Sequence, residues 1–197
     1  MGTKGQQTRE RIVEASAALF NIRGYAGTTM SDIIEAVGVQ KGGIYRHFDS
    51  KEAIMLAAFE YAMQRRIEAI QQILAPKTSA VEQLHAICAS FIVLLEPPSL
   101  PGGCPILNAA VEADDLYPPL REKVQQGLDT LRALILQVVT EGKGRGELQP
   151  YVNGDVVATL LIATCEGGLM MTKLYGDRVH LYRTIDHLRA YFEILRA

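Results

Sequence analysis

Apolar residues recur along this chain at spacings of three and four, so the pattern predicts helices from one end to the other, an all-α protein of about nine helices. Ile12, Ala15, Leu19 and Phe20 form one face of a first helix from about Gln7 to Arg23, stopped by Gly24. Thr29-Met30-Ser31-Asp32 has capping-box form, and Ile33, Ile34 and Val37 carry a second helix for about two turns to Gly38. Val39 and Gln40 make a turn, a third helix runs from Lys41 to about Phe48, and Asp49-Ser50 cap a long fourth helix ending at Leu74 before Pro76. Thr78-Ser79 precede a fifth helix, Ala80 to Leu95, and Pro97-Pro98, Pro101 and Gly102-Gly103 then interrupt the chain. A sixth helix starts near Pro105 and ends before Pro118-Pro119, and a seventh spans about Leu120 to Glu141. After a loop from Gly142 to Pro150, an eighth helix covers about Gly154 to Tyr175 and a ninth begins near Asp177. Along the ninth, Leu181, Ile185, Leu188, Phe192 and Leu195 step by fours and threes, the spacing of a seam that faces a partner helix.

Two short helices joined by a tight, glycine-containing turn are the arrangement that sets a second helix into the DNA major groove. The residue types suit that use. Thr29 and Ser31 stand at the start of the first of these helices, where N–H groups and hydroxyls bind phosphate. Gly42 and Gly43 leave the opening turn of the second without bulk, Tyr45 and His47 face outward, and Ile44 and Phe48 turn inward.

Charge is compatible with an anionic partner at this end: residues 1–51 carry seven Lys/Arg against five acids, a net of +2, which leaves −4 on the rest of a chain of net charge −2. With 197 residues, 48% of them hydrophobic, there is material for a sizeable core. Met1 to Arg11 is polar and unlike a signal peptide, and the longest nearly uncharged apolar stretch, Val156 to Cys165, is shorter than the ~20 residues of a bilayer span, so the expectation is a cytoplasmic protein with no membrane segment. Cys88, Cys104 and Cys165 form no CxxC pair and have no histidine at ligand spacing, which points to neither a zinc site nor a disulfide framework. The P-loop, nucleophile-elbow and zinc-ligating helix patterns are missing and the histidines at 47, 85, 180 and 187 are scattered, so neither an enzyme nor a cofactor is expected.

The stretch Thr28-Thr29-Met30-Ser31-Asp32-Ile33, then Gly38-Val39-Gln40-Lys41-Gly42-Gly43-Ile44-Tyr45-Arg46-His47-Phe48 and Ser50-Lys51-Glu52, resembles the signature of the TetR family of transcriptional regulators. The resemblance implies a helix-turn-helix DNA-binding domain over residues 1–51 and a larger helical effector-binding and dimerisation domain over 52–197. It further implies a homodimeric repressor that holds a palindromic operator in double-stranded DNA and is released by a small hydrophobic or amphipathic effector. In the head, Thr29, Lys41, Tyr45, His47 and Lys51 would contact phosphates, while Gln40, Gly43 and their neighbours approach base edges. Gln40 departs from the serine or threonine often found at that position; its amide caps a helix less well but can read adenine.

In the body, the expected effector wall draws on Phe59, Met63, Cys88, Phe91, Ile92, Asn108, Val111, Glu112, Leu128 and Leu131. The expected dimer interface draws on Val157, Leu160, Leu161, Thr164, Gly168 and Met171 in the eighth helix and Leu181, Ile185, Leu188 and Phe192 in the ninth. Glu166 interrupts an apolar helix, where a carboxylate must be exposed or paired, and would orient a ligand or lock the dimer. An alternative sensing chemistry sits at Cys104, whose place before Pro105 at a helix start would lower its thiol pKa and let it react with electrophiles or oxidants.

Overall fold

The structure, a computed structural model, describes residues 4–97 and 99–197, apart from the side chains at 114–116; Met1 to Thr3 of the polar N-terminal stretch and Pro98 of the expected Pro97-Pro98 interruption lie outside the described residues. Among these residues there are nine helices: α1 Lys4–Arg23, α2 Met30–Val37, α3 Lys41–Tyr45, α4 Lys51–Leu74, α5 Ala80–Val93, α6 Pro105–Leu116, α7 Pro118–Gly144, α8 Gly154–Tyr175 and α9 Val179–Ile194. Among the described residues, extended pairing is limited to an isolated antiparallel bridge between Leu148 and Arg196.

Local chemistry accounts for most of the boundaries. Gly24 and Gly38 adopt φ of 82° and 67°, the left-handed conformation that ends α1 and α2, and each returns its N–H to a carbonyl of the last turn. Ser79 and Glu82 form a full capping box at the start of α5, and the Asn153 side chain accepts from Asp155 N and Val156 N at the start of α8. Several ends differ from expectation: α1 begins at Lys4 rather than Gln7 and α5 ends at Val93 rather than Leu95. Helix α3 stops at Tyr45, so Arg46 to Phe48 turn rather than continue the helix. Pro118 and Pro119 open α7 instead of merely closing α6, because a first helical turn needs no N–H from either ring. Helix α7 also runs through Gly142 to Gly144, three residues beyond the expected end.

The chain packs as two compact units, one comprising Met1–Arg65 with Pro97–Gly127, the other Arg66–Glu96 with Leu128–Ala197. The first contains α1, α2 and α3 around Ile12, Phe20, Ile33 and Ile44, all fully buried, together with α6. In the second, α9 packs on α8 and α5, and Leu84, Ile87, Phe91, Leu161, Leu181, Leu188 and Phe192 make its core. By length and composition α8 would also suit a bilayer, a property core helices share; here nine of its residues are buried inside the chain, including Glu166.

Candidate functional site

The head is organised by a capping box at α2. Thr29 Oγ1 accepts from Asp32 N at 3.2 Å, and the Asp32 carboxylate accepts from Thr29 N at 2.8 Å and from the Thr29 hydroxyl. These bonds, Thr29 first, hold the Asp32 carboxyl below the usual carboxylate range, and Arg23, paired with it at 2.7 Å, adds to the effect. Arg11 Nη2 donates to Val37 O at 3.0 Å and so satisfies a carbonyl at the far end of α2. The Arg9 guanidinium lies 4.9 Å from the Phe48 ring centroid. Neither arginine was among the candidate residues, since both act on groups more than two dozen positions away.

Around the buried Ile33, Val37, Ile44 and Phe48, the candidate DNA-binding residues are left accessible: Thr29, Ser31, Gln40, Lys41, Gly42 and Tyr45 are exposed, and Gly43, His47 and Lys51 half-buried. Lys41 Nζ rests 5.8 Å from the Tyr45 ring centroid. The two glycines differ. A Cβ on Gly42 would meet nothing within 4 Å, whereas one on Gly43 would stand 2.5 Å from Val39 Cγ1, so a side chain at 43 would have to displace the Val39 side chain.

A second polar cluster ties the end of α1 to α6, within the same unit. Asn108 Nδ2 donates to Asn21 O at 3.0 Å, to Asn21 Oδ1 at 2.8 Å and to Gly102 O at 2.8 Å. Asn21 Nδ2 in turn donates to Pro101 O at 2.7 Å and Gly103 O at 3.0 Å. The Glu112 carboxylate accepts from Tyr25 N at 3.1 Å and Ala26 N at 2.8 Å, in the turn that leaves α1. Burial, and secondarily the Glu112 charge, push the Tyr25 phenol above its ordinary range. Asn108 and Glu112, expected on an effector wall, therefore spend these bonds on the DNA-binding head.

The other wall candidates divide between the units. Phe59 and Met63 are buried in the first, where Met63 packs close to Gly127. Val111 is 82% exposed, because one helical step from Glu112 turns it to solvent, so it lines no interior. In the second unit Cys88, Phe91 and Leu131 are buried and Ile92 and Leu128 half-buried. The sequence analysis missed Arg66, which is 5% exposed, donates to Ser90 O at 2.9 Å and covers the Phe91 ring at 4.6 Å. The signal was present: Phe59, Met63, Arg66 and Ile70 follow the four-three-four spacing of one helix face. Cys88 and Cys165 face each other, and the Cys88 thiol, then burial, push the Cys165 thiol up. Cys104 does occupy the N-cap of α6, but it is 1% exposed, shut off from the solvent an electrophile would come from.

Dimer candidates also separate. Leu181, Ile185, Leu188 and Phe192 are at most 2% exposed and belong to the chain's own core, against α8 and α5. The seam spacing is genuine, but its partner helices are intramolecular. Val157, Leu161 and Gly168 are likewise buried, the last because α9 comes so close that a Cβ there would stand 2.4 Å from Thr184 Oγ1. Thr164 is half-buried, and Leu160 and Met171 remain exposed at 43% and 37%. The α8 surface left open instead carries Val156, Leu160, Ala163, Gly167, Met170 and Leu174, again at steps of four and three.

Comparison with known proteins agrees with this geometry. Residues 12–58 match the family model described as bacterial regulatory proteins, tetR family, and residues 80–188 match the one described as tetracyclin repressor-like, C-terminal domain. A TetR transcriptional regulator from Chloroflexus aurantiacus J-10-FL superposes with a TM-score of 0.93 at 46% identity, covering 98% of both chains. A TetR-family regulator from Cytophaga hutchinsonii gives 0.92 at 26% identity, over 100% of this chain and 98% of that one. Among curated proteins, the HTH-type transcriptional repressor DhaR of Mycobacterium sp. (strain GP1) is 29% identical over 86% of this chain and 84% of its own length.

Proposed function

This chain belongs to the TetR family of bacterial regulatory proteins, and from that premise we propose that it represses transcription as a homodimer that binds a palindromic operator and lets go when a small molecule occupies its body. The observation that carries the reading is the head itself: a capped helix-turn-helix whose apolar residues are buried while Ser31, Lys41, Tyr45 and Lys51 stay accessible on α2, α3 and the start of α4. Two such heads about 34–36 Å apart would enter successive major grooves on one face of the duplex. Pairing would use the open stripe on α8, an uninterrupted apolar face that water otherwise covers.

Release follows from the α1–α6 cluster. The bonds of Asn108 and Glu112 fasten α6 to the end of α1, so an effector that favours a displaced α6 carries the head with it, and only its differential affinity for that state drives release. The body's apolar residues, with Arg66 and Glu166 as buried polar groups, suit a hydrophobic or amphipathic effector.

Fluorescence anisotropy with short duplexes from the DNA flanking the gene tests the reading. Tight, palindrome-dependent binding that weakens steeply with salt and falls at least tenfold in Tyr45→Ala is expected. Salt-insensitive binding, or none to any genomic fragment in a genome-wide selection, would overturn it.

A further inference from the structure

A side chain that grips a DNA phosphate works best when it is both accessible and already held in place, because a long flexible one loses rotamer freedom as it binds. Two arginines of the head are committed by the fold: Arg23 pairs with Asp32 at 2.7 Å, and Arg11 donates to Val37 O at 3.0 Å. Arg9 is held differently. It is exposed, and its guanidinium lies over the Phe48 ring, 4.9 Å from the centroid. Among the described residues, that ring is the partner of its guanidinium.

The ring is a fixed platform. Phe48 is 6% exposed, and its backbone N–H is bonded to Ile44 O at 3.1 Å, which ties it to the last turn of α3. Contact with that ring brings Arg9, on α1, beside the segment that carries Tyr45, Arg46 and His47. A guanidinium stacked on a ring uses only its face. Its five N–H donors lie in its plane and remain for a phosphate, which they can meet as a bidentate fork. At its other end, α1 is held by α6: Asn21 is bonded to Asn108, and the turn at Tyr25 and Ala26 to Glu112.

We propose that Arg9 binds a DNA phosphate, so that α1 joins α2, α3 and the start of α4 in gripping the operator, one such contact per head. The contact carries no base information and fixes how the head is seated on the duplex. It also gives α1 two attachments, DNA at Arg9 and α6 at Asn21, separated by about 18 Å along the helix axis. A displacement of α6 then acts on a helix that itself holds the operator. The proposal rests on the DNA-binding reading above.

The test compares the full-length wild type with Arg9→Met, which keeps an apolar stem over Phe48 and removes the charge. Arg9 is exposed, so the circular dichroism spectrum and thermal midpoint of the variant should match the wild type. Affinity for the operator duplex found by anisotropy is then measured over a series of salt concentrations. Arg9→Met should bind several-fold more weakly at moderate salt, by a similar factor on the operator and on its single-base variants. The slope of log affinity against log salt should become shallower by about 0.9 for each head engaged. Operators carrying one neutral methylphosphonate at a time form the second arm: one phosphate in each half-site should matter to the wild type and not to Arg9→Met. An unchanged salt slope overturns the proposal, as does a variant that keeps the wild type's sensitivity at every phosphate. A thermal midpoint lowered without either change makes Arg9 a packing residue alone and overturns it too. A wild type that binds no duplex overturns the DNA-binding reading itself, an outcome recognisable before the variant is tried.

Discussion

Asn108 illustrates how much one side chain carries here. Its amide nitrogen shares two hydrogens among three acceptors, two of them on Asn21 at a sequence separation of 87, and a buried acceptor left without a donor costs about 1–3 kcal/mol. Asn108→Ala should therefore lower unfolding stability by about that amount in a urea titration. Gly102 is the second lock of the cluster. Its φ is 100° and a Cβ would stand 2.4 Å from Asn21 O, so Gly102→Ala combines backbone strain with a clash and should cost at least as much in the same titration. The sequence places Asn108 and Glu112 on an expected effector wall. It could not tell what they bond, because their partners are backbone carbonyls and N–H groups at distant turns, and any residue type offers those. Arg66 escaped notice for a related reason: a long charged side chain reads as surface until its helix face is traced.

Among the elements, those with a local cause were legible and those decided by neighbours were not. Capping boxes and left-handed glycines are short-range chemistry, and α2, α5 and α8 begin where the sequence indicates. The α9 seam was equally visible, but periodicity says only that a face is buried, not whether the burying helix belongs to the same chain. The boxes make a prediction of their own. Thr29→Ala removes the cap of a helix only eight residues long and should cost about 1 kcal/mol, with loss of cooperativity in the head seen by hydrogen exchange. Asp32 and Glu82 both titrate lower in the folded protein, held chiefly by their bonds to Thr29 and Ser79. The unfolded chain thus takes up protons first as pH falls, and the stability these carboxylates confer is complete above their ordinary range and lost as pH falls through their lowered folded values. A double Asp32→Asn, Glu82→Gln variant should show a shallower fall in thermal midpoint between pH 5 and pH 3, in a titration from roughly neutral pH downward.

For the whole molecule, the deciding question is which apolar surface meets a second copy. A buried seam residue and an exposed stripe residue respond differently to the same charge, which makes the assignment testable by contrast. Leu188 is 2% exposed, and an arginine there would have to bury its guanidinium in the core of the second unit, so Leu188→Arg should collapse the fold, with loss of the cooperative thermal transition. Leu160 is 43% exposed within the single chain and sits midway along the α8 stripe. Leu160→Arg should accordingly leave the circular dichroism spectrum of the chain intact while placing two like charges at a twofold contact, where each meets apolar surface and the other's field. Sedimentation equilibrium should then report a monomer where the wild type should give the dimer proposed above. Operator affinity should fall by orders of magnitude, because each head then binds alone and the effective concentration supplied by its twin is gone. A Leu160→Arg protein that sediments as a dimer with unaltered affinity would move the interface off α8, to surfaces for which the open stripe gives no argument.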